Sequence, residues 1–262
     1  MMRAIRTAAS GMYAQQLYID TIANNLANVN TTGFKKSKVE FQDMLYQVTE
    51  SAGAVRNLGT VIPTELQIGH GVKPVAIEKS FTQGSPEPTD GPLDLSIQGD
   101  GFFKVRRADE TLAYTRDGNF NRSPEGRIVN SDGYILDPDI VLPEDTVDIQ
   151  ITNDGYVSIR VVGALEMQEV GQIELAKFPN TKGLRAVGKN LFEETEASGP
   201  PIFGEPGTEG FGEIAQGYLE ASNVQIVEEM VNMIVAQRAY EVSSKAIKTG
   251  EELLSLANNL KR

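Results

Sequence analysis

A seven-residue repeat near the end of the chain constrains the fold more than any other sequence feature. Between residues 223 and 262, apolar or aromatic side chains recur every seven positions, at Ile226, Met233, Tyr240, Ile247 and Leu254. A second row stands four residues later, at Met230, Gln237, Ser244 and Glu251. No Pro interrupts the stretch, and a helix of ~38 residues at ~1.5 Å rise per residue is roughly 57 Å long. Such a helix needs a partner surface along its length, so the repeat predicts a coiled coil.

The beginning of the chain shows the same period. A helix is predicted over residues 3–29, in which one row recurs at seven, at Ile5, Met12, Ile19 and Leu26. Small residues beside this row allow another helix to approach closely. Three asparagines, Asn24, Asn25 and Asn28, stand near the end of the predicted helix. Because Asn side chains compete for backbone hydrogen bonds, they indicate either polar contacts with a neighbour or a frayed helix end.

Pairing of the two chain ends is the simplest arrangement for two helices that share a period. Gln, Ser and Glu in the second row leave the C-terminal seam only partly apolar. Further copies of the chain are therefore the expected additional partners. The alternative is a helical hairpin that closes a monomer.

The middle of the chain is predicted to be all-β. Apolar residues alternate in 102–105, 147–151 and 156–161, and Asp-Gly pairs follow at 90–91, 100–101, 117–118, 132–133 and 154–155. Asp-Gly favours tight turns because both residues tolerate positive φ, so an antiparallel sandwich or barrel is expected. The predicted α+β chain has a helical inner domain at 1–33 and 216–262. An extended arm at 34–70 and a β domain at 71–215, with a Gly/Pro-rich return link, complete it.

Charge and composition exclude several classes of function. The net charge of −12 argues against binding to nucleic acid, which needs a basic surface. The chain has no Cys, so disulfides and thiolate chemistry are excluded. It has no apolar run long enough for a transmembrane helix and no apolar signal-peptide core after Arg3 and Arg6. The chain is expected to be cytoplasmic or exported without a cleaved signal peptide.

Catalysis and cofactors are not expected. The sequence lacks the common nucleophile, zinc and phosphate-binding motifs. Its one histidine, His70, lies between glycines and is a poor metal candidate. Carboxylate pairs such as Asp137 with Asp139, or Asp132 with Asp154, are the remaining acid/base candidates. Asp-rich turns of this kind arise readily in an acidic β domain, so neither an enzyme nor a calcium site is predicted.

Both chain ends resemble the terminal motifs of the bacterial flagellar rod and hook proteins. The N-terminal resemblance lies in Ser10-Gly11-Met12 and in Asn24 to Lys35. The C-terminal resemblance lies in Leu219 to Val224, Glu228 to Ile234 and Gln237 to Glu241. Between them, 66–72, 81–84, 99–103 and 114–120 are similar to the distal rod members of that family. The resemblance extends over nearly the whole chain.

The resemblance implies a structural subunit of the distal rod, a rigid tube that transmits torque through the periplasm to the hook. The implied partners are further copies of the chain, proximal rod proteins, the hook protein, the surrounding P and L ring proteins and the flagellar type III export apparatus. It also implies that the termini are disordered in the monomer and fold on assembly. The alternatives are a longer proximal rod paralogue and, in another class, a monomeric secreted β-domain binding module.

The residues expected at the assembly interface come from the two heptad rows and the asparagines. They are Ile5, Met12, Ile19, Asn24, Asn25, Leu26, Asn28, Ile226, Met230, Met233, Gln237, Tyr240, Ile247 and Leu254.

Overall fold

A computed structural model gives the fold and describes residues 2–50, 64–163, 166–208 and 210–259. One long helix stands at each end, α1 (Met2–Ala27) and α2 (Ile226–Asn259), and strands fill the middle. The prediction of an α+β chain with terminal helices and a β-rich middle is confirmed. The chain divides into two compact units, the first drawn from 1–26, 37–78 and 225–262, the second from 27–36 and 79–224.

In its described residues, the first unit contains both helices and four strands. The strands are β1 (Ser37–Asp43), β2 (Gln47–Glu50), β3 (Leu66–Ile68) and β4 (Val72–Lys79). β1 pairs with β4, and β2 pairs antiparallel with β3. The predicted arm therefore contains three strands over its described residues. Its stretch from Ser51 to Pro63 lies outside them.

The two helices run antiparallel. The end of α1 contacts the start of α2, and the start of α1 contacts the end of α2. Asn25 Nδ2 donates to Glu229 at 3.2 Å near one end. At the other end, a Cβ placed on Gly250 would lie 2.9 Å from Ile5 Cγ1. Gly250, which weakens the helix by its backbone freedom, is thus where Ile5 packs against the α2 backbone.

The inward row of α2 differs from the predicted second row. Glu229 and Ala236 are buried, and Ser243 and Gly250 are half-buried, each three residues after a first-row position. Met230, Gln237 and Glu251 of the predicted row are exposed within one chain, and their contact with other copies stays a prediction. In the first row, Ile226 and Tyr240 are exposed, whereas Met233, Ile247 and Leu254 are half-buried.

The second unit contains sixteen strands and one short 3₁₀ helix (Thr181–Gly183) in its described part. The strands are β5 (Pro86–Pro88), β6 (Leu95–Gln98), β7 (Phe102–Arg106), β8 (Leu112–Thr115), β9 (Phe120–Arg122), β10 (Ile128–Asn130), β11 (Ile135–Leu136), β12 (Thr146–Ile151), β13 (Tyr156–Val161), β14 (Gln168–Gln172), β15 (Leu175–Lys177), β16 (Arg185–Gly188), β17 (Leu191–Glu193), β18 (Ile202–Gly204), β19 (Glu213–Gln216) and β20 (Tyr218–Glu220). Nine strands form the largest sheet, along the path β16-β17-β8-β7-β11-β10-β9 with β15 and β18 attached. β12-β13-β14 form a three-stranded sheet, while β6 pairs with β19 and β5 with β20.

The central strand β7 is buried on both faces. Phe102 belongs to an aromatic cluster with Tyr114, Phe178 and Phe192, whereas Phe103 belongs to the larger apolar core. Successive side chains of a strand point to opposite faces, so adjacent phenylalanines serve different cores. This explains why two adjacent positions of the segment are apolar, where strict alternation would place a polar residue at one of them.

The Asp-Gly pairs all lie between strands, but only two close hairpins between paired neighbours. Gly133 has φ of 84° in the turn joining β10 to β11, and Gly155 has φ of 81° in the turn joining β12 to β13. The pairs at 90–91, 100–101 and 117–118 instead join strands whose partners lie elsewhere. Asp-Gly therefore predicts the change of direction, while sheet membership depends on longer-range pairing.

The boundaries of both helices differ from their predicted positions. α1 ends at Ala27, two residues before its predicted end, and α2 begins at Ile226. Asn223 does not cap α2 because its amide donates to Ser80 O at 2.8 Å and its Oδ1 accepts from the backbone of Lys36 at 2.7 Å.

Candidate assembly surfaces and the motif junction

α2 carries an apolar stripe on the side turned away from its buried row. Val227, Met230, Val231, Ile234 and Val235 each keep between 51% and 76% of their surface exposed. Their spacings of three and four residues place them on one face of the helix. The buried residues Glu229 and Ala236 lie on the opposite face at ~100° per residue. Exposed apolar faces of this kind mark interaction surfaces; we call these five residues the α2 stripe.

The residues predicted for the assembly interface fall into three groups of exposure. Asn24, Ile226, Met230, Gln237 and Tyr240 are exposed; Asn25 is buried; Ile5, Met12, Ile19, Leu26, Asn28, Met233, Ile247 and Leu254 are half-buried. The structure brings Asn25 and Ile5 into contact with α2. Asn28 instead contacts Thr31. Participation of the whole set in assembly stays a prediction.

Asn25 explains why an asparagine stands inside α1. Its side chain is bonded in both directions to Ser37 of β1: Nδ2 donates to the carbonyl oxygen at 2.9 Å and Oδ1 accepts from the amide at 2.8 Å. It also donates to Glu229 of α2. One buried amide thus joins α1, β1 and α2, which confirms polar contacts with a neighbour at this position.

A second polar centre lies in the second unit, where the two terminal motifs meet. Lys35 of the N-terminal motif and Glu220 of the C-terminal motif are paired, with Nζ 2.5 Å from Oε1. Glu220 Oε1 also accepts from the amide of Gly84 at 2.8 Å. Arg116 approaches Glu220 Oε2 at 3.5 Å and donates to Gly99 O at 2.7 Å. We call Lys35, Arg116, Glu220 and Asn223 the motif junction.

The electrostatics of the motif junction are those of a desolvated cluster. Burial lowers the pKa of Lys35, and Glu220 opposes this shift without overcoming it. Burial also lowers the pKa of Arg116, again against the attraction of Glu220. Two buried cations share one carboxylate, so Glu220 is the residue on which the cluster depends.

Lys35 and Glu220 belong to the terminal motifs that resemble the family, but the sequence predicted no contact between them. Arg116 was part of the similar middle segment and likewise had no predicted role. A signal existed, because opposite charges stood in motifs from both chain ends. It could not identify the pair, since the position of the Gly84 amide, which also bonds to Glu220, is set by the β fold.

The described residues offer no group of three or more His, Asp or Glu side chains placed to hold a metal ion. Likewise, none of the helices in the described part of the chain is long and apolar enough to span a membrane. The described residues thus contain a buried ion pair between the two terminal motifs and an exposed apolar face on α2.

Family models match three parts of the chain. "Flagella basal body rod protein" matches 5–35, "Flagellar hook protein FlgE/F/G D1 domain" matches 96–159, and "Flagellar basal body rod FlgEFG protein C-terminal" matches 215–260. Curated relatives match over the full length. A protein of Borreliella burgdorferi named "Flagellar basal-body rod protein FlgG" is 52% identical over 100% of both chains. The chain therefore belongs to the flagellar rod and hook family, which confirms the resemblance of its motifs.

Two proteins of Caulobacter vibrioides compare the rod paralogues directly. The one named FlgG is 48% identical over 99% of this chain and 100% of its own length. The one named FlgF is 37% identical over 90% of this chain and 88% of its own length. Within one organism, the chain is thus more similar to the FlgG protein.

Proposed function

We propose that the chain is the structural subunit of the flagellar distal rod, which polymerises into a rigid tubular drive shaft. The observation that carries this proposal is full-length similarity to FlgG rod proteins, at 52% and 48% identity in two organisms. The lower identity to the FlgF paralogue argues against the proximal-rod alternative. The rod would cross the periplasm and the outer membrane and would transmit torque to the hook.

The proposed architecture has an inner layer and an outer layer. Residues 1–33 and 216–262 would form a coiled-coil inner domain, 34–70 a connecting arm, and 71–215 an outer β domain. The antiparallel contacts between α1 and α2 and the exposed α2 stripe support an inner domain completed by neighbouring copies. The other proposed partners are proximal rod proteins, the hook protein and the P and L ring proteins. Export would use the flagellar type III apparatus without a cleaved signal peptide.

Assembly and helix formation are proposed to be coupled. Ordering the backbone of α2, with 34 residues, costs ~1–2 kcal/mol per residue. Burying each α2 stripe side chain would contribute roughly 1.5–3 kcal/mol. Five such side chains offset only part of the cost, so the α1 contacts and several neighbouring copies must contribute as well. Circular dichroism of dilute protein tests this: full helix content in a monomer would contradict coupled folding.

Ile234→Asp tests the assembly surface. The substitution places a charge in the centre of the α2 stripe while leaving the buried row intact, so we expect normal export but no rods in isolated basal bodies. Thr249→Asp is the matched control, because it adds the same charge on the same side of α2, outside the stripe. Normal rods from Ile234→Asp would remove the α2 stripe from the assembly surface. Absence of the unmodified protein from the rod would refute the proposed function itself.

A further inference from the structure

The first unit contains a cavity with a basic lining. Its volume is about 850 Å³, and it lies among the start of α1, the end of β1 and the residues around β4. Arg3 and Arg6 line it from α1, with His70 just before β4 and Lys73 within β4. Asp43 is the one acidic residue among the described lining residues, and its side chain is hydrogen-bonded to Tyr46.

The cations of this cavity form no ion pair within the part of the chain that the structure describes. None of Arg3, Arg6 and Lys73 forms an ion pair there, whereas Lys104, Arg107 and Arg116 of the second unit each face a carboxylate. Three cations and one anion therefore leave the lining with an excess of positive charge. A cavity with such a lining favours an anionic ligand.

The two longer segments outside the described residues carry no acidic side chain. Residues 51–63 contain Arg56, and residues 260–262 contain Lys261 and Arg262. Neither segment offers a complementary charge, whereas an acidic surface of another copy would.

The second unit of another copy has the required charge. It contains 14 Lys and Arg against 25 Asp and Glu, whereas the first unit contains 10 against 11. Glu144 and Asp145, just before β12, form an adjacent acidic pair that is exposed and makes no ion pair within the described residues. Val147 beside them is also exposed, as is Leu45 at the cavity, so apolar contact accompanies the charge match.

We propose that the basic cavity of one copy receives the Glu144–Asp145 corner of a second copy. This inference rests on the proposed self-assembly and names one contact within it. The corner would supply two carboxylates to Arg3, Arg6 and Lys73. Such complementarity fixes the register of neighbours and suppresses wrong pairings more than it adds affinity.

Disulfide crosslinking tests the contact cleanly because the chain has no cysteine of its own. Chains carrying Arg6→Cys and chains carrying Glu144→Cys, with tags of different mass, are expressed together and basal bodies are isolated and oxidised. We expect a mixed dimer. Glu110→Cys replaces Glu144→Cys as the control, since Glu110 is also exposed in the second unit, and should give at most a trace.

The possible results distinguish failure of the proposed contact between copies from failure of the proposed rod function. Rods that contain both chains, yet give no more mixed dimer than the control, overturn the inference and leave the rod function intact. A crosslink from position 6 to a different protein also overturns it. Absence of the tagged chains from isolated rods, with the unsubstituted chain absent too, refutes the rod function.

Charge reversal gives an independent test with the same positions. Arg6→Glu should reduce the number of completed rods severalfold, and Glu144→Arg in the same chain should restore it. Glu110→Arg, a matched reversal, should not. Equal restoration by both arginines would indicate a general effect of net charge and overturn the inference, as would normal rods from Arg6→Glu alone.

Discussion

Lys35 and Glu220 form an ion pair from which water is excluded. Their Nζ and Oε1 atoms lie 2.5 Å apart, and each side chain is only 1% exposed. One residue follows α1 and the other precedes α2, so the pair joins the two terminal motifs inside the second unit. Glu220 also faces Arg116, and its loss would leave two buried cations without a carboxylate.

Glu220→Gln should destabilise the second unit strongly. Breaking a buried pair by removing one partner costs about 3–5 kcal/mol, because a charge stays buried without compensation. Lys35→Met should cost less, since Glu220 would keep Arg116 and the amide of Gly84. Urea unfolding of the full chain, followed by near-ultraviolet circular dichroism of its tyrosines, measures both variants.

The exposed pair between Arg160 and Asp148 provides the control for these variants. Exposed pairs contribute about 0–1 kcal/mol, so Asp148→Asn should leave the urea midpoint nearly unchanged. Equal midpoints for Glu220→Gln and Asp148→Asn would contradict the dependence of the motif junction on Glu220.

The sequence predicted elements better than the contacts among them. Periodicity located both helices because an amphipathic repeat is a local signal, and Asp-Gly located turns for the same reason. The row of α2 that faces α1 was not predicted because its members, Glu229, Ala236, Ser243 and Gly250, are not large hydrophobic side chains. Small and polar residues are selected there by the close approach of α1, which only the pairing of distant segments reveals.

The candidate assembly surfaces were also predicted only where a local sequence signal existed. Asn25 was singled out because asparagine is unfavourable inside a helix, and the structure gives it three hydrogen bonds. The α2 stripe went unnoticed as a unit, since a seven-residue count does not distinguish the face turned to α1 from the face turned away. The basic cavity combines residues from three separate segments, so no local pattern could predict it.

Tyr114 should make the second unit sensitive to alkali. Burial raises the pKa of its phenol from 10.0 to about 12. Between these values the unfolded chain releases a proton that the folded chain retains, so stability falls as pH rises, by up to about tenfold in the unfolding equilibrium per pH unit. Below pH 10 the phenol is protonated in both states and contributes no pH dependence.

Tyr114→Phe should flatten this alkaline loss of stability. Urea midpoints at pH 9, 10.5 and 11.5 measure the effect, with Tyr13→Phe as the control because Tyr13 is exposed. If both variants follow the unsubstituted chain between pH 10 and 12, the buried phenol is not the source of alkaline sensitivity.

Asn25→Asp should prevent rod formation. The substitution removes the amide donor and places a second carboxylate beside buried Glu229, where like charges are costly. Counting completed rods in isolated basal bodies measures the effect. Gln16→Glu adds the same charge at an exposed position of α1 outside the predicted assembly interface and should assemble normally.

A compensating change makes the Asn25 prediction specific. Glu229→Gln in the Asn25→Asp chain supplies an amide donor to the new carboxylate and removes the repulsion. Partial recovery of rods is expected, because the bond from Nδ2 to Ser37 O remains lost. No recovery, with normal protein levels, would assign the defect to Ser37 instead of Glu229.

Gly33→Ala should destabilise the second unit more than the same change at Gly133. Both glycines have positive φ, 66° and 84°, so alanine meets backbone strain of roughly 1–2 kcal/mol at either position. At Gly33 the added Cβ would also lie 2.5 Å from the backbone nitrogen of Asp117, while at Gly133 nothing lies within 4 Å. Backbone cannot yield as a side chain does, so the overlap should add about 1–3 kcal/mol. Urea unfolding of the two variants measures the difference, and equal midpoints would mean that the turn before Lys35 shifts without cost to the motif junction.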